Sequence, residues 1–428
     1  MNAQLSLFAY RIVILLLTPI LLLALFIRSI NHKAYRARLA ERLGFLPNHF
    51  KKNGIVIHAA SVGEVLALKP LVTELLALHP TKIITFTTFT PTGSAQVKQH
   101  FGDRVQHCYL PIDNPLSTHL FLNKLVPSSL IVMETELWPN LIAQAKNRKI
   151  KLQLINGRLS DNSMKSYRKL TWLITPCLKS FDDILCQSQD NQVNFLSLGA
   201  DGDTTIVSGN LKYDIRLTDQ TIAKQAELAG YLQNKRPIWL VASTHPGDEE
   251  IILNAFQQAL EAQPDLLLIL VPRHPERFND IANLCQQTYQ TVRRSEQSTV
   301  LAEHQIWLLD SLGELMAAFA LADIVTMGGS FSHIGGHNPL EPAFYHKAII
   351  VGPNMSNFKD VMQTMAKNQS IVQLTGDRDY AAQLANHLGY LLKDEERRIS
   401  LGDNARKVVD ENQGALATTL EKIDQYLK

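Results

Sequence analysis

The sequence has little cysteine, no surplus of charge of either sign and none of the common nucleotide-loop signatures, and each absence removes a class of protein. Its four cysteines, Cys108, Cys177, Cys186 and Cys285, show no C-x-x-C spacing, which excludes a disulfide framework and a zinc ribbon and fits reduced thiols in a cytoplasmic setting. Lys and Arg number 42 against 40 Asp and Glu, a formal charge of +2, so bulk electrostatics do not support a nucleic-acid partner. No G-x-G-x-x-G follows the first strand-like run and no G-x-x-x-x-G-K-[ST] occurs, so dinucleotide binding and P-loop hydrolysis lose support.

What is present is a globular chain of 428 residues, 46% hydrophobic, long enough for two domains with full cores. The run "IVILLLTPILLLALFI", residues 12–27, has no charge and is bracketed by Arg11 and Arg28. No small-x-small cleavage site follows it, so residues 1–30 read as an uncleaved membrane anchor rather than a cleaved signal peptide. The run is short of the ~20 residues of a span, "LSLFAY" can lengthen it, and a monotopic insertion is the alternative to a crossing. Arg28, Lys33, Arg36, Arg38, Arg42, Lys51 and Lys52 follow it against the single acidic Glu41, and the positive-inside rule then puts the bulk of the chain in the cytoplasm.

From residue 54 onward short Ile/Val/Leu-rich runs alternate with amphipathic stretches, the pattern of βα units with buried parallel strands. Seven such runs, from "GIVIHAA" to "TTIVSGN", precede a polar stretch without a strand, and seven more run from "PIWLVAST" to "SIVQLTG". The expectation is an α/β chain of two Rossmann-like domains facing a cleft: residues 31–214, a linker at 215–236, and residues 237–428. Ligands of such sheets sit beyond the carboxyl ends of the strands, and the unusual residues cluster there.

In "HAASVGE" Ser61 reads as a helix N-cap with Glu64 at the third helical position. That is a capping box on the structural reading and a general base on the functional one, with the amide dipoles of the helix start keeping the carboxylate ionised. "METELWPN" places Glu134 and Glu136 at another strand end, where acidity also suits the helix dipole, and "SGNLKYD" brings Lys212 to the end of the seventh. In the second half "VPRHPERF" puts Arg273 and His274 at a strand end suited to phosphate, and "SLGELM" starts a helix at Gly313, Glu314 and Leu315. "MGGSFSHIGGHNPLEPA", residues 327–343, is the most informative stretch: its glycines let backbone approach a phosphate, and Asn338 and Glu341 follow. "DGD" at 201–203 and "DRD" at 377–379 look like the DxD of metal-dependent sugar transferases but lie in polar turns at the wrong sheet edge. His58, His107, His245 and His346 have no ligand spacing and read as local structural histidines, so neither a metal nor a cofactor is expected.

Together "HAASVGE", "TTFTPTG", "METELWPN", "NGRLS", "SGNLKYD", "VPRHPERF" and "GGHNPLEPA" resemble the 3-deoxy-D-manno-octulosonic acid (Kdo) transferases of lipopolysaccharide biosynthesis, over nearly the whole chain. The resemblance implies a glycosyltransferase-B fold and an inverting, metal-independent reaction. Its donor would be CMP-Kdo and its acceptor a lipid A precursor (lipid IVA), at the cytoplasmic face of the inner membrane, with membrane lipids as partners. Carried over position by position, it makes Glu64 the base and Glu134 and Lys212 the transition-state stabilisers. It makes Pro272, Arg273, Gly313, Glu314, Leu315, Asn338, Pro339, Leu340 and Glu341 the CMP contacts. The basic segment after the anchor, with Arg36, Arg38 and Arg42, would then attract the phosphorylated lipid. The alternatives are another enzyme of the same fold using a UDP-sugar, and a membrane-anchored lipid- or nucleotide-binding protein without catalysis. Binding alone needs no base, which disfavours the second.

Overall fold

The computed structural model describes residues 3–31, 33–159, 161–376 and 379–427; Ser160 of "NGRLS" and two of the three residues of "DRD" lie outside these. The first seven apolar runs become strands β1 (Ile55–His58), β2 (Ile84–Thr88), β3 (Gln106–Tyr109), β4 (Ser129–Met133), β5 (Lys151–Gly157), β6 (Asp183–Cys186) and β7 (Thr205–Val207). The second seven become β8 (Ile238–Thr244), β9 (Leu267–Pro272), β10 (Thr291–Arg293), β11 (Ile306–Leu308), β12 (Ile324–Met327), β13 (Ala348–Val351) and β14 (Val372–Gln373). Central strands such as β1, β4 and β8 are buried at every residue, as a sheet covered on both faces requires.

Both sheets are parallel, in the orders β3-β2-β1-β4-β5-β6-β7 and β10-β11-β9-β8-β12-β13-β14. The strand order reverses between β1 and β4 in the first sheet and between β8 and β12 at the centre of the second, the kind of point where doubly wound sheets leave room for a ligand. Helices leave the strand ends with suitable start signals. Ser61, Thr90, Asn114 and Ser188 each cap a helix by accepting from its first-turn amides, and Pro91, Pro115 and Pro139 stand in first turns, where a missing N–H costs nothing.

The chain divides into two compact units, Met1–Asp214 with Gln413–Lys428, and Ile215–Asn412. The last sixteen residues, read from the sequence as part of the second domain, thus belong to the first. Asp214 explains the return: its carboxylate accepts from the amides of Gly414 and Leu416 (both 2.9 Å), capping the start of helix Ala415–Asp424. Ala415, Leu416, Ile423 and Leu427 complete the core around Ile57, Leu68 and Ile155. The stretch read as a linker contains helix Asp219–Ala229, which packs within the second unit against helix Leu315–Ala318.

The basic segment after the N-terminal helix is partly structural. Arg42 is buried, donates to the Phe89 carbonyl (2.7 Å) and lies over the Tyr109 ring, while Arg38 pairs with Glu41 (2.7 Å) and donates to the His107 carbonyl. Buried Arg42 is not free to attract lipid, in contrast to the sequence expectation; Arg36, Arg38, Lys51 and Lys52 remain exposed.

Candidate active site

At the switch point of the first unit, β1 ends at His58 and three residues later Ser61 caps helix Val62–Leu78. The Ser61 hydroxyl accepts from the Glu64 amide (3.3 Å) and donates to Glu64 Oε1 (2.7 Å), while the Ala60 amide donates to Oε2 (2.8 Å). The capping geometry read from the sequence is therefore real, with the carboxylate reaching back one residue before the cap. Its consequence for charge is the opposite of what the helix dipole suggested. Glu64 is only 8% exposed, and burial, reinforced by the negative charge of Glu134 and more weakly of Glu136, pushes its carboxyl from 4.5 up to about 7. The hydrogen bonds from Ser61 and Ala60 oppose that shift without cancelling it.

Glu134 follows β4 directly. Its φ is +59°, a left-handed conformation that costs a residue with a Cβ roughly 1–2 kcal/mol, and its amide donates to the Ile155 carbonyl (2.9 Å). Strain of this kind collects at sites where side-chain direction matters more than stability. Lys212 reaches the same place from the far side of the sheet. Asn156, at the end of β5, accepts from the Leu211 amide (3.0 Å), and Asn210 accepts from the Lys212 amide (3.1 Å), which fixes the turn Leu211–Tyr213 and sets Lys212 Nζ 3.8 Å from Glu134 Oε1. Glu64, Glu134 and Lys212 are thus electrostatically coupled within one unit.

His58 belongs to this cluster, which the sequence reading did not assign. It is fully buried; Nδ1 lies 3.0 Å from the Thr87 hydroxyl, and Nε2, which has no hydrogen-bond partner among the described residues, lies 3.9 Å from Glu136 Oε2. The Phe89 ring meets it edge-on and packs in turn on Trp138, whose indole N–H donates to Glu136 Oε2 (3.0 Å).

At the switch point of the second unit Asp248 ties two strand-end loops together. Its Oδ2 accepts from the amides of His245, after β8, and of Gly329, after β12 (2.9 and 2.6 Å). It is fully buried, its Oδ1 has no hydrogen-bond partner among the described residues, and burial raises its carboxyl to about 6. The backbones are so close that a Cβ on Gly328 would stand 2.5 Å from the Ser243 carbonyl oxygen. His245 and His337 meet Nε2 to Nε2 at 2.9 Å with His274 edge-on beside them, so these histidines form a cluster rather than standing singly. Burial first, and then the surrounding cations including Arg273, lower His245 to about 4 and His337 to about 3. A neutral pair at that distance shares one N–H between the two rings.

Arg273 follows β9, and its amide donates to the Thr244 carbonyl (3.1 Å). Among the described residues no hydrogen bond or ion pair engages its guanidinium, whereas neighbouring Arg277 is paired with Glu249 (2.8 Å). Pro272, the last residue of β9, is buried beneath it. Asn338 donates to Glu341 Oε1 (3.3 Å) and accepts from the Leu340 amide, while Pro339 and Leu340 are buried, so Asn338 and Glu341 carry the polar groups of that motif. The Glu314 carboxylate is engaged by Arg294 (3.0 Å) and Lys224 (3.3 Å), and the Leu315 carbonyl accepts from the Phe319 amide. The helix expected there, Leu315–Ala318, is a single turn and offers little dipole.

Two parallel sheets of this order have the glycosyltransferase-B fold, here with coupled acids at one switch point and a glycine-rich loop near Arg273 at the other. A family model described as "3-Deoxy-D-manno-octulosonic-acid transferase (kdotransferase)" matches residues 37–215. The chain is 41% identical over 98% of its length to the 3-deoxy-D-manno-octulosonic acid transferase of Haemophilus influenzae, of which it covers 99%. To that of Rickettsia bellii it is 32% identical over 96% of its length, covering 97% of the relative. The structure of a UDP-GlcNAc 2-epimerase from Neisseria meningitidis aligns over 88% of this chain and 100% of its own, with a TM-score of 0.56 at 16% identity, a likeness of fold alone. The chain belongs to the Kdo transferase family, the glycosyltransferases that add Kdo in lipopolysaccharide biosynthesis.

Proposed function

We propose that this enzyme transfers Kdo from CMP-Kdo to a hydroxyl of a lipid A precursor, with inversion at the anomeric carbon and without a metal. Glu64 takes the proton of the acceptor hydroxyl as its oxygen bonds to the anomeric carbon; the bond to the CMP phosphate breaks on the opposite face and its electron pair leaves with the phosphate oxygen. The observation that carries this reading is the carboxyl of Glu64, poised at about 7, because a base with a proton affinity near the working pH both ionises and accepts well. Glu134 faces the positive charge that develops on the sugar ring as the glycosidic bond stretches, and Lys212 holds Glu134 and meets an anionic group of the donor.

In the second unit Arg273 receives the single phosphate of CMP, with backbone at Gly313 and Leu315 and the side chains of Asn338 and Glu341 completing the nucleotide contacts. One leaving phosphate needs less charge neutralisation than a diphosphate, which supports metal independence. The helix Ala3–Asn31, whose candidate membrane window Gln4–Ile30 has a mean hydropathy of 2.5, supports attachment to the inner membrane, and exposed Arg36, Lys51 and Lys52 support the cytoplasmic side.

The test is mass spectrometry of a tetraacylated lipid A precursor after incubation with the enzyme and CMP-Kdo, in the presence of a chelator. Added Kdo mass is the expected result. Product formed only with UDP-sugars, or only after a divalent cation is restored, would overturn the donor or the metal-independent reading respectively.

A further inference from the structure

The N-terminal helix Ala3–Asn31 is exposed along most of its surface, with large apolar side chains open to the surroundings from Leu5 (56%) to Ile30 (67%). One stripe is different. Covered or half-covered positions recur three or four residues apart, at Ser6, Tyr10, Ile14, Thr18, Leu22, Leu25 and Ser29, the period of a single helix face. Most of the helix's few polar side chains fall on or beside this stripe, and two of them fasten it to the folded part of the same unit. The Tyr10 hydroxyl donates to Oδ2 of buried Asp113 (2.9 Å), and Arg11 Nε donates to Asn140 Oδ1 (2.9 Å). Asp113 is itself held by the amides of Asn140 and Leu141, at the start of helix Pro139–Asn147. At the other end Arg28 lies over the Tyr35 ring, 4.6 Å from its centroid, in the turn that leads into the first unit.

Both ends of the apolar run are therefore tied to one folded body. A helix that crosses a bilayer must place its ends on opposite sides of roughly 30 Å of hydrocarbon. The sheet unit that holds Tyr10 and Arg11 cannot follow them through, because its loops and strand edges carry backbone groups that hydrocarbon does not satisfy. The two bracketing arginines point the same way, since both favour the cytoplasmic side.

We propose that Ala3–Asn31 lies in the plane of a single leaflet, its polar stripe seated on the first unit and its remaining surface among acyl chains, with both ends on the cytoplasmic side. This rests on the membrane reading above and specifies how the membrane is met. The helix then seats the Glu64 unit at the level of the headgroups, where a phosphorylated lipid acceptor presents its sugar.

The experiment uses the full chain with an N-terminal epitope, in right-side-out spheroplasts and in inverted inner-membrane vesicles treated with protease. A variant with Gln4→Cys, probed with a membrane-impermeant maleimide, gives a second readout against a quiet background, because all four native cysteines are buried. The expected result is cleavage and labelling in inverted vesicles and protection of both markers in spheroplasts. Cleavage or labelling in spheroplasts would show a crossing helix and overturn the in-plane arrangement. A chain that does not sediment with membranes in either preparation would remove the membrane reading and this inference with it.

Discussion

At the scale of single residues the account turns on Glu64, whose neighbours oppose its ionisation. Only the deprotonated carboxylate accepts a proton, so kcat/KM should fall about tenfold per pH unit below about 7 and level off above it. Glu134 is the second cause of the raised value, after burial, and removing its charge eases ionisation. Glu134→Gln should therefore move the acid limb to lower pH while leaving it above the ordinary carboxylate range, because burial remains. An unmoved limb would show that the two acids are not coupled. The same shift bears on stability. Folded Glu64 holds its proton up to about 7 and unfolded Glu64 only to about 4.5, so its contribution is fully present below 4.5 and is lost as pH rises through 7. Above pH 7 the ionised group costs up to about 3 kcal/mol, a net figure that already includes the hydrogen bonds it accepts. Glu64→Gln should accordingly raise Tm at pH 8 but not at pH 4; a lower Tm at pH 8 would contradict the burial argument.

At the scale of elements the strand-end loops at β8 and β12 are held by contact rather than by propensity. Gly328→Ala would press a methyl group against the Ser243 carbonyl oxygen and should cost about 1–3 kcal/mol. It should lower Tm by several degrees and weaken CMP binding in a calorimetric titration; unchanged affinity would remove this loop from the nucleotide site. The strands themselves were legible in the sequence, because parallel strands covered on both faces favour continuous apolar runs, and each of the two sets of seven runs counted there became seven strands. The Ser61 cap was legible too, because a capping box is a local pattern. Tertiary facts were not. His245 and His337 stand 92 residues apart, and nothing in either segment foretells their contact. The raised carboxyl of Glu64 depends on what is packed above it, and Arg42 looked like a solvated cation until its partners Phe89 and Tyr109 were known.

At the scale of the whole molecule the C-terminal return is the feature that a linear reading of domains misses, since a helical pattern looks alike whichever core it serves. A chain ended after Asn412 loses Leu416, Ile423 and Leu427 from the first unit and should lose transfer activity and amide protection in β1 and β5. CMP binding should persist, because residues 215–412 are intact; loss of CMP binding with protection retained in β1 would place the return in the wrong unit. The central claim is that transfer depends on one poised carboxylate in a site that otherwise binds normally. The most direct measurement is single-turnover transfer by Glu64→Gln, scored as Kdo mass added to the lipid precursor, beside a calorimetric titration of the same variant with CMP. The account predicts a loss of at least about 100-fold in the transfer step, the scale of general-base catalysis, with CMP affinity within about twofold of the parent enzyme. Transfer at the parent rate would contradict it and remove Glu64 from the base role.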